Sequence, residues 1–102
     1  MKYIKILLVE DHLLVREGFY NLIRNETDMD IVGETSIGEE AVRLAGTLKP
    51  DVVLMDISIE GLDGIEATRK IKELYPTIVV LVLSAFDNEG FVTANGGNGV
   101  GG

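Results

Sequence analysis

Three carboxylates directly follow short apolar segments of this 102-residue chain. Glu10 and Asp11 follow the segment IKILLV, and Asp56 follows the segment VVLM. Ser84 follows a third segment of the same kind, IVVLVL. Clustered carboxylates without Cys or paired His suit a hard cation, best Mg²⁺. A carboxylate beside such a cation can attack a phosphoryl group, and a nearby hydroxyl can then hydrogen-bond a phosphoryl oxygen.

The elements that must position these groups alternate between apolar strands and amphipathic helices. The pattern predicts β-α-β-α-β-α-β, with strands over 4–9, 31–35, 52–55 and 78–83. Continuous apolar strands separated by helices indicate an α/β fold with a parallel sheet covered on both faces. If the strand order is 2-1-3-4, the first and third strands are neighbours. Glu10, Asp11 and Asp56 then converge at the carboxyl edge of the sheet, where such folds bind ligands.

The helices are recognised by their apolar spacing and by cap signals. Ser36 and Glu39 have the S-x-x-E spacing of a capping box, and Asp63 with Glu66 indicates a second cap. His12 is expected to face solvent at the start of the first helix rather than to act as a base. The apolar faces are expected to comprise Val15, Phe19, Leu22 and Ile23 in the first helix, Ala41, Leu44, Ala45 and Leu48 in the second, and Ala67, Ile71, Leu74 and Tyr75 in the third.

Composition excludes several classes of protein. The net charge of −8 disfavours binding to nucleic acid or to an anionic membrane, and the chain has no Cys. No apolar run approaches the roughly 18 residues of a membrane span, so we expect a cytoplasmic protein. Gly97, Gly99 and Gly102 satisfy G-x-G-x-x-G, but no helix follows them, which disfavours dinucleotide binding.

The segments ILLVEDHLLVREG, VVLMDISIEGLDGIEATRKIK and VVLVLSA resemble the receiver domain of two-component response regulators. The sequence of these segments is most similar to the LuxR/FixJ-like subfamily, whose members usually carry a C-terminal helix-turn-helix. The resemblance implies a flavodoxin-like (CheY-like) three-layer fold. It also implies that Asp56 is the phosphoacceptor, that Glu10, Asp11 and Asp56 hold Mg²⁺ with the backbone carbonyl of Ser58, and that Ser84 is the switch hydroxyl. The implied donor is the phosphohistidine of a sensor histidine kinase. Transcription would be controlled through a DNA-binding domain of the full-length protein, with no direct nucleic-acid contact from this chain.

The sequence departs from the family pattern in two places. Glu60 occupies a position where the family usually has Pro. After Phe91 we find neither the family's last strand, with its Lys and aromatic residue, nor its last helix, and no Lys or Arg follows Lys72. We therefore expect an incomplete receiver domain over 1–92 and a Gly-rich non-native or disordered tail over 93–102. The fourth strand would then be an exposed apolar edge, which predicts a homo-oligomer.

Two other classes of protein with similar requirements fit these residues less well. Haloacid-dehalogenase-like phosphatases carry D-x-D after the strand, whereas Ser58 occupies the second position here. A flavodoxin-like flavin carrier needs a phosphate-binding loop after the first strand, where Glu10 and Asp11 would repel phosphate. The alternative that stays open is a truncated or engineered receiver fragment that self-associates and whose site is unused.

Overall fold

The computed structural model describes residues 3–57, 59 and 63–83, and these residues form four strands and three helices. Ser58, Glu60, Ser84 and the segment 93–102 lie outside the described residues. The strands are β1 (Ile4–Val9), β2 (Met29–Thr35), β3 (Val52–Asp56) and β4 (Val79–Leu83). The helices are α1 (Leu13–Arg24), α2 (Gly38–Leu48) and α3 (Gly64–Leu74).

The four strands form one parallel sheet in the order β2-β1-β3-β4, as predicted. Because β1 and β3 are neighbours, Val9 pairs with Met55, and the residues that follow both strands emerge side by side. On the other side of β3, Asp56 pairs with Leu83 at the end of β4. The predicted convergence at the carboxyl edge therefore has the required backbone geometry.

The two faces of the sheet carry separate hydrophobic clusters. Along β1, Leu7 and Val9 face α2 and α3, whereas Ile6 and Leu8 face α1. The face under α2 and α3 is the better filled, because their small residues Ala41, Ala45 and Ala67 allow close packing on the sheet. Each large side chain buried in this way contributes about 1.5–3 kcal/mol to stability. The central strands are thus held firmly from both sides.

The expected helix caps are correct at α3 and wrong at α2. The Asp63 side chain accepts a hydrogen bond from the Glu66 backbone N–H at 2.9 Å, which satisfies one of the donors left free at the start of a helix. At α2, by contrast, the N-cap is Ile37, which makes no side-chain capping hydrogen bond. The strand-like conformation runs one residue past Ser36, so the serine hydroxyl is out of register with the first turn.

The apolar face predicted for α1 is only partly buried. Ile23 and Phe19 pack against the sheet, whereas Val15 and Leu22 are exposed. This part of the prediction is wrong because α1 packs mainly against β2 and does not extend across β3 and β4. None of the helices in the described ranges combines the length and hydropathy needed to cross a bilayer.

The outer strand β4 is exposed on its α1 side. Val79 and Leu81 pair with Val52 and Leu54, so they lie on the same face of the sheet as the cluster under α1. Leu54 is only 9% exposed, but Val79 and Leu81 are 50% and 51% exposed. The burial of this face therefore decreases from β3 to β4.

Candidate functional site: an acidic pocket at the carboxyl edge of the sheet

Asp56 is the last residue of β3 and is almost completely buried, with 2% of its surface exposed. Glu10 follows β1 and is 3% exposed, and its backbone N–H donates to the Thr35 carbonyl at 3.0 Å. Asp11 is the more accessible neighbour of Glu10. Together with His12, these carboxylates offer ligand atoms that all lie within 4.8 Å of one another. The structure thus brings together the three carboxylates predicted from the sequence.

His12 is also a member of this pocket, although the sequence predicted only that it faces solvent. Its side chain is 62% exposed, as expected, but its Nδ1 lies 2.6 Å from Glu10 Oε2 and 3.2 Å from Asp11 Oδ1. The His12 backbone N–H also donates to Glu10 Oε2 at 3.0 Å. Its position in the sequence could have indicated this role, because a residue that directly follows two clustered carboxylates can fold its ring back over them.

The electrostatics of the pocket favour a bound cation. Burial raises the pKa of Glu10, and the nearby Asp56 carboxyl raises it further, while the hydrogen bonds from His12 act in the opposite direction. The pKa of His12 is raised, first by its hydrogen bond with Glu10 and then by the Asp11 charge. The raised pKa widens the pH range over which a His12 imidazolium offsets part of the negative charge.

The donor set fits Mg²⁺. Three carboxylates supply oxygen ligands for a hard ion, and the accessible Asp11 leaves room for the waters that Mg²⁺ retains. Imidazole is not a ligand that Mg²⁺ prefers. We therefore expect Glu10, Asp11 and Asp56 to hold the metal.

Two further residues predicted for the site, Ser58 and Ser84, lie outside the described residues, and their roles stay predictions. The described residues beside them have defined contacts. The Ile57 backbone N–H donates to the Leu83 carbonyl at 3.4 Å, which joins the end of β3 to the end of β4. Ile59 is buried in the cluster beneath α2 and α3.

Two residues that support the pocket were not predicted from the sequence. The Arg16 side chain reaches back from α1 and donates to the Glu10 backbone carbonyl at 3.1 Å. Gly64, the first residue of α3, lies against the backbone of Asp56 and Ile57. The bond from Arg16 to a backbone group six residues away corresponds to no sequence motif. The close backbone contact at Gly64 cannot be recognised in a linear sequence either.

The metal-free chain is expected to lose stability as the pH rises above about 6.5. Because folding raises the pKa of His12 from 6.5, its contribution is complete below that value and is lost as the pH rises through the higher folded-state value. Urea unfolding midpoints between about pH 6 and pH 9, measured with a chelator, test this expectation. The decline should be smaller in His12→Gln. An equal decline in both proteins would contradict the role assigned to His12.

Comparisons with known proteins agree with this geometry. A family model described as the response regulator receiver domain matches residues 6–100. The response regulator protein VraR of Staphylococcus aureus (strain Mu3) is 46% identical over 83 residues, which are 81% of this chain and 40% of that protein. VraR of Staphylococcus saprophyticus is 42% identical over 88 residues, covering 84% of this chain and 42% of that protein.

Solved structures show the same similarity. The response regulator domain of Thermotoga maritima CheB has a TM-score of 0.78 at 39% identity and covers 87% of this chain and 66% of that one. A LuxR-family response regulator from Aurantimonas has a TM-score of 0.77 at 36% identity and covers 84% and 61%. The chain spans about two fifths of the length of the curated relatives that it matches. By its sequence, its strand order and the acidic pocket at its sheet edge, this chain belongs to the response regulator receiver domain family.

Proposed function

We propose that this receiver domain accepts a phosphoryl group on Asp56 from the phosphohistidine of a sensor histidine kinase. The observation that carries the proposal is the position of Asp56, buried at the end of β3 within one cluster with Glu10 and Asp11. Its relatives named as response regulators support the same function. The domain is a regulatory phosphoacceptor rather than a classical enzyme, although it would assist its own phosphorylation and dephosphorylation.

The residues of the pocket divide the chemistry between them. A carboxylate oxygen of Asp56 forms a bond to phosphorus as the bond from phosphorus to the donor's imidazole nitrogen breaks, which leaves an acyl phosphate on Asp56. Glu10 and Asp11, with Asp56 and the Ser58 carbonyl, hold the metal. Mg²⁺ supplies neutralisation of the charge on the transferring phosphoryl oxygens. The Ser84 hydroxyl then donates to a phosphoryl oxygen and transmits the change.

The biological setting belongs to the same proposal. The receiver domain extends over 1–92, followed by a Gly-rich tail, and it controls a transcriptional output in the cytoplasm. A DNA-binding domain of the full-length protein carries that output, since relatives of this chain include a LuxR-family regulator. The strongly acidic chain itself makes no direct contact with nucleic acid.

Phosphorylation from a small-molecule phosphodonor tests the proposal without requiring the unknown kinase. Intact-mass measurement of the chain with acetyl phosphate and Mg²⁺ should show the addition of one phosphoryl group. The addition should disappear when a chelator replaces Mg²⁺, and it should be labile, as acyl phosphates are. A chain that folds and binds Mg²⁺ but gains no mass would contradict the proposal. It would favour the alternative that the chain is a receiver fragment whose site is unused.

The exposed side of β4 supports self-association as a second property of the chain. The strand sequence VVLVL has high β-propensity and no charge, and Val79 and Leu81 are half exposed. Pairing with a second copy would bury these side chains, although the net charge of −8 opposes it at low salt. Sedimentation over a concentration series, at low and high salt, should show association that increases with salt.

Substitution tests whether β4 is the surface that associates. Leu81→Lys should shift the chain towards monomer, because it places a charge on the apolar strand. Ile65→Lys is the control, since Ile65 is an exposed apolar residue on α3, 67% exposed against 51% for Leu81. A wild-type chain that stays monomeric at high concentration and high salt would contradict self-association.

A further inference from the structure

Arg16 connects three elements next to the acidic pocket. Its side chain leaves the first turns of α1, and Nη1 donates to the Glu10 carbonyl at 3.1 Å, just past the end of β1. Its Nε lies 3.3 Å from Oε1 of Glu34, which is on β2. The Arg16 side chain is 25% exposed, so both contacts are partly shielded from water. A single guanidinium thus binds α1 to the ends of two strands.

Glu34 holds this arrangement in place from β2. Besides its ion pair with Arg16, the Glu34 carboxylate lies near the Tyr20 side chain of α1. Burial raises the pKa of Tyr20, and the Glu34 charge raises it further. The ion pair with Glu34, together with the bond to the Glu10 carbonyl, limits the positions that the guanidinium can adopt.

The Glu10 carbonyl matters because it belongs to the peptide unit that joins two metal ligands. This unit is planar, so the direction of the Glu10 C=O group sets the direction in which the chain enters Asp11. The Glu10 N–H is already fixed by the Thr35 carbonyl at 3.0 Å. Arg16 fixes the other side of the residue, and the two contacts together determine how Glu10 and Asp11 are presented to a cation.

We propose that Arg16 is a positioning residue for the Mg²⁺ site, acting through the Glu10–Asp11 peptide and not through its charge. The inference rests on the proposed function, because it concerns the metal on which phosphorylation depends. Arg16 contacts the backbone of a ligand and contributes no ligand itself.

The proposal predicts an effect opposite in sign to that of simple electrostatics. A positive side chain next to a cation site repels the cation, so neutralising it should strengthen Mg²⁺ binding if charge were its only influence. If Arg16 orients the ligands, neutralising it should weaken binding. The direction of the change in Mg²⁺ affinity therefore separates the two roles. Replacing a residue that only stabilised the fold would leave the affinity unchanged.

The experiment is a Mg²⁺ titration of the metal-free chain, followed by calorimetry, for wild type, Arg16→Met and Arg24→Met. Methionine keeps an apolar stem of similar length but removes the donors and the charge. Arg24 is the matched control, because it lies in the last turn of the same helix and its side chain bonds only Asn21, at 2.9 Å, among the contacts described. Arg16→Met should bind Mg²⁺ about tenfold more weakly, as is typical when a residue that orients a metal ligand is removed. Arg24→Met should bind as wild type does.

Thermal unfolding with a chelator shows whether each variant is folded before it is titrated. If Arg16→Met does not fold, the Mg²⁺ titration of Arg16→Lys tests the proposal instead. Lysine retains the charge, but its donors lie on one nitrogen and cannot span two acceptors as the guanidinium does, so binding should weaken about threefold. Arg16→Met with wild-type or tighter affinity would overturn the proposal, as would Arg16→Lys with wild-type affinity where only that variant folds. A folded wild-type chain that binds no Mg²⁺ would instead overturn the proposed function.

Discussion

Asp56→Asn is expected to abolish phosphorylation of the chain completely while leaving it folded. The amide has nearly the shape of the carboxylate, so the buried position at the end of β3 should accept it. It lacks the anionic oxygen that attacks phosphorus, and the other carboxylates of the pocket, Glu10 and Asp11, follow β1 rather than β3. The expected loss is therefore total rather than partial.

The same substitution should stabilise the metal-free chain. Burial raises the pKa of the Glu10 carboxyl, and the nearby Asp56 carboxyl raises it further, because an ionised Glu10 would be repelled by the Asp56 charge. Removing one charge removes this repulsion, so Asp56→Asn should unfold at a higher temperature than wild type when a chelator is present. Added Mg²⁺ should narrow the difference, because it neutralises the wild-type pocket.

Intact-mass measurement after incubation with acetyl phosphate and Mg²⁺ checks the first effect, and thermal unfolding checks the second. Asp28→Asn is a suitable control, because Asp28 is an exposed carboxylate just before β2 at the opposite edge of the sheet. It should be phosphorylated as wild type is. Phosphorylation that persists in folded Asp56→Asn would show that another residue is the acceptor.

Gly64→Ala is expected to destabilise the chain by about 1–3 kcal/mol, the usual effect of forcing an atom into a well-packed site. A Cβ at position 64 would lie 2.6 Å from the Asp56 carbonyl oxygen and would also meet the backbone of Ile57. These neighbours are backbone atoms, so no rotation of a side chain can relieve the contact. The Gly64 N–H already donates to the Ile57 carbonyl at 3.2 Å, which holds α3 close to the strand end.

The effect of Gly64→Ala should extend to the site. Because the obstructed backbone is that of Asp56 and its neighbour, any shift that accommodates the methyl group moves the proposed phosphoacceptor. We therefore expect slower phosphorylation even at temperatures where the variant is folded. Urea unfolding and the rate of mass gain with acetyl phosphate measure the two effects.

Gly18→Ala is the matched control for this substitution. Gly18 lies within α1, and a Cβ there would meet nothing within 4 Å. Alanine should therefore stabilise the chain by about 0.5–1 kcal/mol, through the lower conformational entropy of the unfolded state and its better helix propensity. Equal stability changes at positions 18 and 64 would show that the close contact at Gly64 does not constrain the backbone.

The parallel topology and the identity of the pocket carboxylates were predictable from patterns in the sequence, whereas the strand order followed from the resemblance to receiver domains. Apolar runs bounded by Glu10-Asp11 and Asp56 are local features, and the parallel topology follows from the alternation of strands and helices. Once β1 and β3 are adjacent, the position of each carboxylate relative to its strand brings the three together. The cap at Asp63 was predictable for the same reason, since its hydrogen bond spans only three residues.

Other features were decided only by the tertiary structure, because they depend on contacts between elements. Whether Leu22 is buried depends on how far α1 extends across the sheet, and the helical period cannot show that. The bond from Arg16 to the Glu10 carbonyl exists only because α1 folds back along β1. His12 meets the carboxylates because its ring turns towards Glu10 rather than outwards, a choice of rotamer set by the charges around it. The sequence thus determined which groups reach the sheet edge, and the packing of α1 and α3 determined how they are oriented there.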